Sequence, residues 1–309
     1  MTSLPALIES NITTIFRGKN EIVRQAILCI LSEGHLLIED IPGVGKTTLA
    51  LALAKSLNLT FQRIQFTSDL LPTDILGVSI YNTKTNTFEY KKGPIFHHII
   101  LADEINRSTP KTQSALLEAM NEHQVSSDNE TRALPQPFFV IATQNPYEHY
   151  GTYPLPESQR DRFLMRLSIG YPDHESEREI LKQEIDFRSI ENLSHVTDRD
   201  AIIQVIGQVR KVKVDESLDD YILAIIQETR QSPFLELGVS PRGSLALRRV
   251  AQANALMEGR DYVIPDDIKK NAACILSHRI ILKSINGELE SEATKKVIQE
   301  ITDRIPVPL

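Results

Sequence analysis

The sequence predicts an α/β protein, an αβα sandwich on a parallel sheet, followed by a small all-α domain. Three observations carry this. Short apolar strands alternate with helices through the first half, which is the pattern of a parallel sheet covered on both faces. Polar, turn-forming residues gather just after those strands, where ligand sites of such sheets lie. Beyond Tyr171-Pro-Asp173 the strand signals stop and helical spacing takes over. The boundary is therefore set there, with a core over 1–171 and a helical domain over 172–309.

The elements follow in order. Ile22, Val23, Ala26, Ile27, Ile30 and Leu31 recur at helical spacing, and Gly34 ends the run. His35–Ile38 reads as a strand and Lys46–Leu57 as a helix rich in Leu and Ala. Phe61–Phe66, Ile99–Ala102 and Phe138–Ala142 are further strands with β-branched or aromatic content. Val78–Tyr81 and Thr87–Tyr90 flank the polar stretch Asn82–Asn86, which predicts a hairpin inserted within about 76–96. A second hairpin is predicted over about 124–134, with its tip at Ser126–Asn129. In the second domain Glu175–Ile185, Ala201–Val209, Ser217–Gln231, Gly243–Glu258 and Pro265–Leu276 read as helices. Asp215, Ser240 and Pro265 stand where helix starts are expected.

The chain has 309 residues, enough for two cores. Its formal charge of −7 argues against a general nucleic-acid binder. Lys84, Lys91 and Lys92 make the first hairpin locally basic, and they keep a DNA-working motor as the alternative class. Cys29 and Cys274 sit inside apolar helical patterns, as buried thiols of a reducing compartment do. No Cys/His spacing resembles a zinc site. No apolar run approaches the roughly 20 residues of a membrane span, and no signal pattern opens the chain. A cytoplasmic protein is expected.

The strongest chemical signal is Ile38-Glu-Asp-Ile-Pro-Gly-Val-Gly-Lys-Thr-Thr48, between a strand and a helix. Gly43 and Gly45 let the backbone of the Asp40–Thr48 loop, with Pro42 and Val44, turn its N–H groups toward phosphates. The helix that follows adds the positive end of its dipole. Lys46 can reach the β- and γ-phosphates of ATP, and the Thr47 hydroxyl suits Mg²⁺. This is the P-loop pattern, with Asp40 in place of its usual first glycine.

The second signal is His98-Ile-Ile-Leu-Ala-Asp-Glu104, an apolar strand ending in two acids. Asp103 there would hold Mg²⁺ and Glu104 would act as general base on the attacking water. In Phe139-Val-Ile-Ala-Thr-Gln-Asn-Pro146, Asn145 could orient that water or touch the γ-phosphate. Arg160 and Arg162 follow in Pro156-Glu-Ser-Gln-Arg-Asp-Arg-Phe163, and Arg242 lies at a helix start in Gly238-Val-Ser-Pro-Arg-Gly243. Arginine donors stabilise the charge that builds on a transferring phosphoryl group. A nucleotide-binding scaffold without turnover is the third class, and the full set of acting residues stands against it.

Assembled, the chain resembles the AAA+ superfamily and, within it, the MoxR family. The resemblance rests on the loop above together with Asp74-Ile-Leu-Gly77, Leu101-Ala-Asp-Glu-Ile-Asn-Arg107, Gln113-Ser-Ala-Leu-Leu-Glu-Ala-Met120, Ala142-Thr-Gln-Asn-Pro146 and Tyr153-Pro-Leu-Pro-Glu157. Phe16-Arg-Gly-Lys19 departs from the family's usual Gly-Gln on the adenine side. The resemblance implies an αβα core with a helical lid and the nucleotide between them. It makes the first hairpin the helix-2 insert, the second the pre-sensor hairpin, Asn145 sensor 1 and Arg242 sensor 2. It makes Arg162 an arginine finger acting on the next subunit of a ring, usually a hexamer. It further implies a chaperone-like remodeller of protein clients, with partners carrying a von Willebrand A domain and a part in maturing or inserting metal cofactors.

Overall fold

Among the described residues five short parallel strands form the central sheet, in the order β2 (Phe61–Gln65), β5 (Ile99–Asp103), β8 (Phe139–Gln144), β1 (Leu36–Glu39) and β9 (Met165–Leu167). The computed structural model describes residues 3–127, 130–147, 151–175, 177–178, 190, 192–284 and 290–308. α1 (Leu4–Thr13) and α2 (Asn20–Leu31) precede β1 (Leu36–Glu39), and α3 (Lys46–Ser56) leads to β2 (Phe61–Gln65). α4 (Pro72–Leu76) opens the first hairpin, β3 (Gly77–Asn82) and β4 (Thr87–Lys92). β5 (Ile99–Asp103), α5 (Pro110–Glu122) and the second hairpin, β6 (Gln124–Ser127) and β7 (Glu130–Ala133), come next. β8 (Phe139–Gln144), α6 (Glu157–Arg160) and β9 (Met165–Leu167) complete the core.

The strands alternate between two apolar cores, which is why they read as continuous apolar runs. Leu36, Ile38, Leu101 and Ile141 join α2 and α3 on one face. Leu37, Ile100, Val140 and Ala142 join α5 on the other. Both hairpins are antiparallel two-stranded ribbons outside this sheet.

The helical part comprises α7 (Arg199–Val209), α8 (Glu216–Gln231), α9 (Pro241–Met257), α10 (Pro265–Leu276) and α11 (Glu290–Arg304), with β10 (Leu235–Leu237) and β11 (Ile281–Leu282) as a small ribbon. Asp215 and Ser240 cap α8 and α9 through their side chains, and Pro265 occupies the first turn of α10. The helix expected at Glu175–Ile185 lies mostly outside the described residues. One apolar cluster runs from α2 and α3 into α9 and α10, so the bundle is packed against the core through buried surface. Among the described residues no helix is long and apolar enough to cross a membrane. Cys29 and Cys274 are both buried, and burial pushes both thiols up, that of Cys274 to about 12.

His35, at the start of β1, is fully enclosed. Its Nδ1 accepts the Val140 N–H at 3.1 Å, so Nε2 carries the proton that meets the Met120 carbonyl at 3.0 Å. Burial lowers its pKa to about 4. A base depressed on folding stabilises the fold fully above its unfolded pKa near 6.5 and loses that contribution as pH falls toward 4. The loss is worth roughly 3 kcal/mol at 1.36 kcal/mol per unit. In a histidine NMR titration the His35 ring is expected to stay neutral down to about pH 5; titration near 6.5 would contradict this packing.

Candidate functional site

The Asp40–Thr48 loop joins the carboxyl end of β1 to α3. Gly43 and Gly45 take φ values of +86° and +92°, which other residues adopt only with strain. A side chain at Gly45 would press on the Phe16 ring, 3.0 Å away. Gly45 is also the N-cap of α3, so no side chain caps the first N–H groups, and the first turn has no acid. Those free donors and the helix dipole fit an anion. Lys46 donates from Nζ to the Asp40 carbonyl at 2.6 Å, leaving its charge without a carboxylate partner in that bond. Burial lowers its pKa, while Asp40, Asp103 and Glu104 pull the other way, so the two acidic motifs lie within electrostatic reach of this lysine.

The structure assigns Asp40 a different task from phosphate contact. Its carboxylate, only 6% exposed, accepts the N–H groups of Ile169 at 2.5 Å and Gly170 at 2.7 Å, with Ser168 Oγ at 3.1 Å. Asp40 therefore ties the loop to the segment leaving β9, and touches Lys46 only through its carbonyl. Beside the loop lies a cavity of about 220 Å³ lined by Phe16, Lys19, Gly43, Val44, Gly45 and Thr48, with Ile169, Gly170 and Pro172. Among the described residues none from Arg199 onward lines it. Pro172, just past the 171/172 boundary, belongs to that lining.

The acids sit two strands further along the same edge. β8 separates β1 from β5, so the carboxyl ends of those two strands lie about 10 Å apart, two strand spacings. Thr143, fully buried on β8, organises this pair. Its hydroxyl donates to Asp103 Oδ1 at 2.6 Å and accepts the Glu104 N–H at 2.9 Å. Glu104 holds φ +56° and ψ +50°, left-handed backbone that costs of order 1–3 kcal/mol and is concentrated at functional sites. Its carboxylate receives Gln65 Nε2 at 2.8 Å and Arg107 Nε at 3.2 Å. Arg63 pairs with Asp103 at 2.6 Å and reaches Gln65 at 2.8 Å. Asn145 follows β8 on the same edge, its Oδ1 accepting the Tyr147 N–H at 3.1 Å. Sequence reading missed Thr143, Arg63 and Gln65. Thr143 stood inside a quoted motif, two residues before Asn145.

Arg162 and Arg242 are brought together, but not here. They line one recess at the amino edge of the sheet, with Gly34, His35 and Leu164, which lead into β1 and β9. Arg162 donates to the Leu117 carbonyl at 3.0 Å, and its buried Nε has no partner. Asp161 anchors the pair: it receives Arg279 Nε at 2.9 Å and Ser240 Oγ at 2.9 Å. Ser240 in turn accepts the Arg242 N–H at 3.2 Å. Arg160 lies apart, in loose ion pairs with Glu157 and Glu290 at 3.7 Å.

Comparison with known proteins gives this arrangement its family. Residues 35–165 match the ATPase family associated with various cellular activities (AAA), and residues 227–301 match its AAA lid domain. The Mycobacterium tuberculosis protein Chaperone MoxR1 is 38% identical over 95% of this chain and 80% of its own length. The chain belongs to the MoxR family of AAA+ ATPases. A Bacillus subtilis relative, the uncharacterized protein YeaC, is 50% identical over 97% of this chain and 93% of its own. The Protein MoxR of Methylorubrum extorquens is 27% identical over 98% and 95%. The crystal structure of a candidate ATPase of Cytophaga hutchinsonii superposes with a TM-score of 0.86 at 39% identity, covering 99% of this chain and 97% of that one. MoxR-family membership agrees with the parallel sheet and helical lid described above.

Proposed function

We propose that this chain hydrolyses ATP in a closed ring of its own copies and uses the cycle to remodel a protein partner. The observation that carries the reading is the separation of its charges. The phosphate loop and the acid pair occupy the carboxyl edge of the sheet, while Arg162 and Arg242 share a recess at the amino edge. Neither arginine can serve its own nucleotide from there. A heterologous contact that sets the amino edge of one copy against the carboxyl edge of the next supplies both arginines in trans, and such contacts close into rings.

Within this reading Lys46 and the N–H groups of Gly43–Thr48 hold the triphosphate. Mg²⁺, held by the Thr47 hydroxyl and Asp103, would neutralise charge between the β- and γ-phosphates. Thr143 fixes the Asp103 carboxylate and the Glu104 backbone together. Glu104 removes the proton from the attacking water and Asn145 orients that water. Arg162 and Arg242 of the neighbour meet the charge that develops on the γ-phosphoryl oxygens. The two ribbons, β3–β4 and β6–β7, stand outside the core where a client can reach them, with Ile80, Tyr81 and Phe88 at least half or nearly half exposed. The chaperone name of the mycobacterial relative supports a protein client. A partner with a von Willebrand A domain and a role in metal-cofactor insertion follow from family resemblance, in the cytoplasm.

Light scattering of the Glu104→Gln variant with and without ATP tests the ring. Growth from a small species toward a hexamer on ATP is expected. A monomer under both conditions, at concentrations where ATP is bound, would remove the trans arrangement.

A further inference from the structure

β2 ends in two side chains that cover the two acids of the site. Arg63 and Gln65 are two residues apart on one strand, so they project from the same face. The pairing of β2 with β5 sets Gln65 beside Asp103. Arg63 places both Nε, at 3.0 Å, and Nη2, at 2.6 Å, on one atom, Asp103 Oδ2. Thr143 donates to the other oxygen, Oδ1, at 2.6 Å. A carboxylate has about four acceptor positions, two on each oxygen. The guanidinium therefore fills both on Oδ2, and one is left on Oδ1. Gln65 braces the arginine, its Oε1 accepting Nη2 at 2.8 Å while its amide nitrogen reaches Glu104 Oε2 at 2.8 Å.

A half-exposed ion pair is ordinarily worth little. This one differs because of where it stands. Asp103 is the carboxylate read above as a partner of Mg²⁺, and its oxygens with the Thr47 hydroxyl are the hard donors that such an ion takes. A dication and a guanidinium on the same carboxylate repel each other, so the two compete for it. The Arg63 side chain is 50% exposed and that of Asp103 16%. The arginine can turn out into water, whereas the acid is fixed by Thr143. We propose that Arg63 is a removable stand-in for the metal: it neutralises Asp103 in the nucleotide-free chain and gives it up when Mg²⁺ arrives with the triphosphate. An empty copy then keeps Asp103 paired without taking free Mg²⁺ from solution. This role for Arg63 rests on the metal reading of Asp103.

Nucleotide affinity with and without metal tests it. Binding of a fluorescent, non-hydrolysable ATP analogue to the full chain is measured by anisotropy in EDTA and in saturating Mg²⁺, and the ratio of the two affinities is the gain due to the metal. Arg63→Met, which keeps the length of the side chain and loses its charge, is expected to raise that gain about fivefold or more, the upper range for a half-exposed ion pair. In EDTA the same variant should bind more weakly than the unaltered chain, because Asp103 is left uncompensated beside the phosphates. Asp103→Asn should remove most of the gain, and Arg63→Met added to it should change the gain no further. Arg63→Gln serves as a second neutral variant, with circular dichroism checking that each variant folds. If both neutral variants leave the gain unchanged or lower it while Asp103→Asn still loses it, the arginine does not oppose the metal; the proposal falls and the metal reading stands. A gain that survives Asp103→Asn removes the metal reading itself, and the role of Arg63 with it. An equal rise in the Asp103→Asn background would place the effect of Arg63 away from Asp103 and overturn the proposal.

Discussion

Glu104→Gln is expected to bind ATP as tightly as the unaltered chain and to hydrolyse it at least about a hundredfold more slowly, the low end of what a positioned general base contributes. The amide fills the same volume, keeps a hydrogen-bonding side chain next to Gln65 and Arg107, and cannot accept a proton. Geometry makes the effect specific. The left-handed backbone at Glu104 is held by the Thr143 hydroxyl, the same atom that positions Asp103. The proposed base and the carboxylate proposed for the metal are therefore set by one buried group, and replacing Glu104 alone leaves Asp103 in place. Measured nucleotide affinity alongside turnover separates the two. Unchanged turnover would take Glu104 out of the mechanism, and lost nucleotide binding would mean that the pair is structural.

The P-loop and the strand-terminal acids were legible because each is a local pattern: a strand, a polar tip and a helix within about a dozen residues. What surrounds them was not. Arg63, Gln65 and Thr143 act across the strand order β2-β5-β8, and that order appears nowhere in the linear sequence. Asp40 looked like a tolerated exchange for glycine. Its reason is a pair of N–H groups past β9, a strand of three residues too short to show a period. α11 escaped because most of its residues are polar; only Thr294, Ile298, Ile301 and Thr302 are buried. The placement of the lid was also hidden. Its helices and their caps could be read from spacing, but their docking on α2 and β9 depends on tertiary packing. That docking decides where Arg242 points.

Arg162→Ala is expected to lower ATP turnover by about a thousandfold, the lower range for loss of an arginine finger, and Lys46→Ala to lose turnover by losing nucleotide binding. Mixed in equal amounts, the two inactive variants should regain activity. A site in a ring needs the loop of one copy and the arginine of the next. An Arg162→Ala copy supplies an intact loop, and a Lys46→Ala neighbour supplies an intact arginine. Random mixing through one heterologous interface then restores about a quarter of the sites. An arginine acting within its own chain predicts no recovery at all, since every chain in the mixture lacks either the loop lysine or the arginine. The recess favours the first outcome. Arg162 keeps a buried Nε without a partner and shares its pocket with Arg242 at the edge of the sheet opposite the loop. Asp161, clamped by Arg279 and Ser240, holds that pocket to the lid. In the proposed ring the lid would present Arg242 to the next copy, so its contribution to turnover would be felt one subunit away.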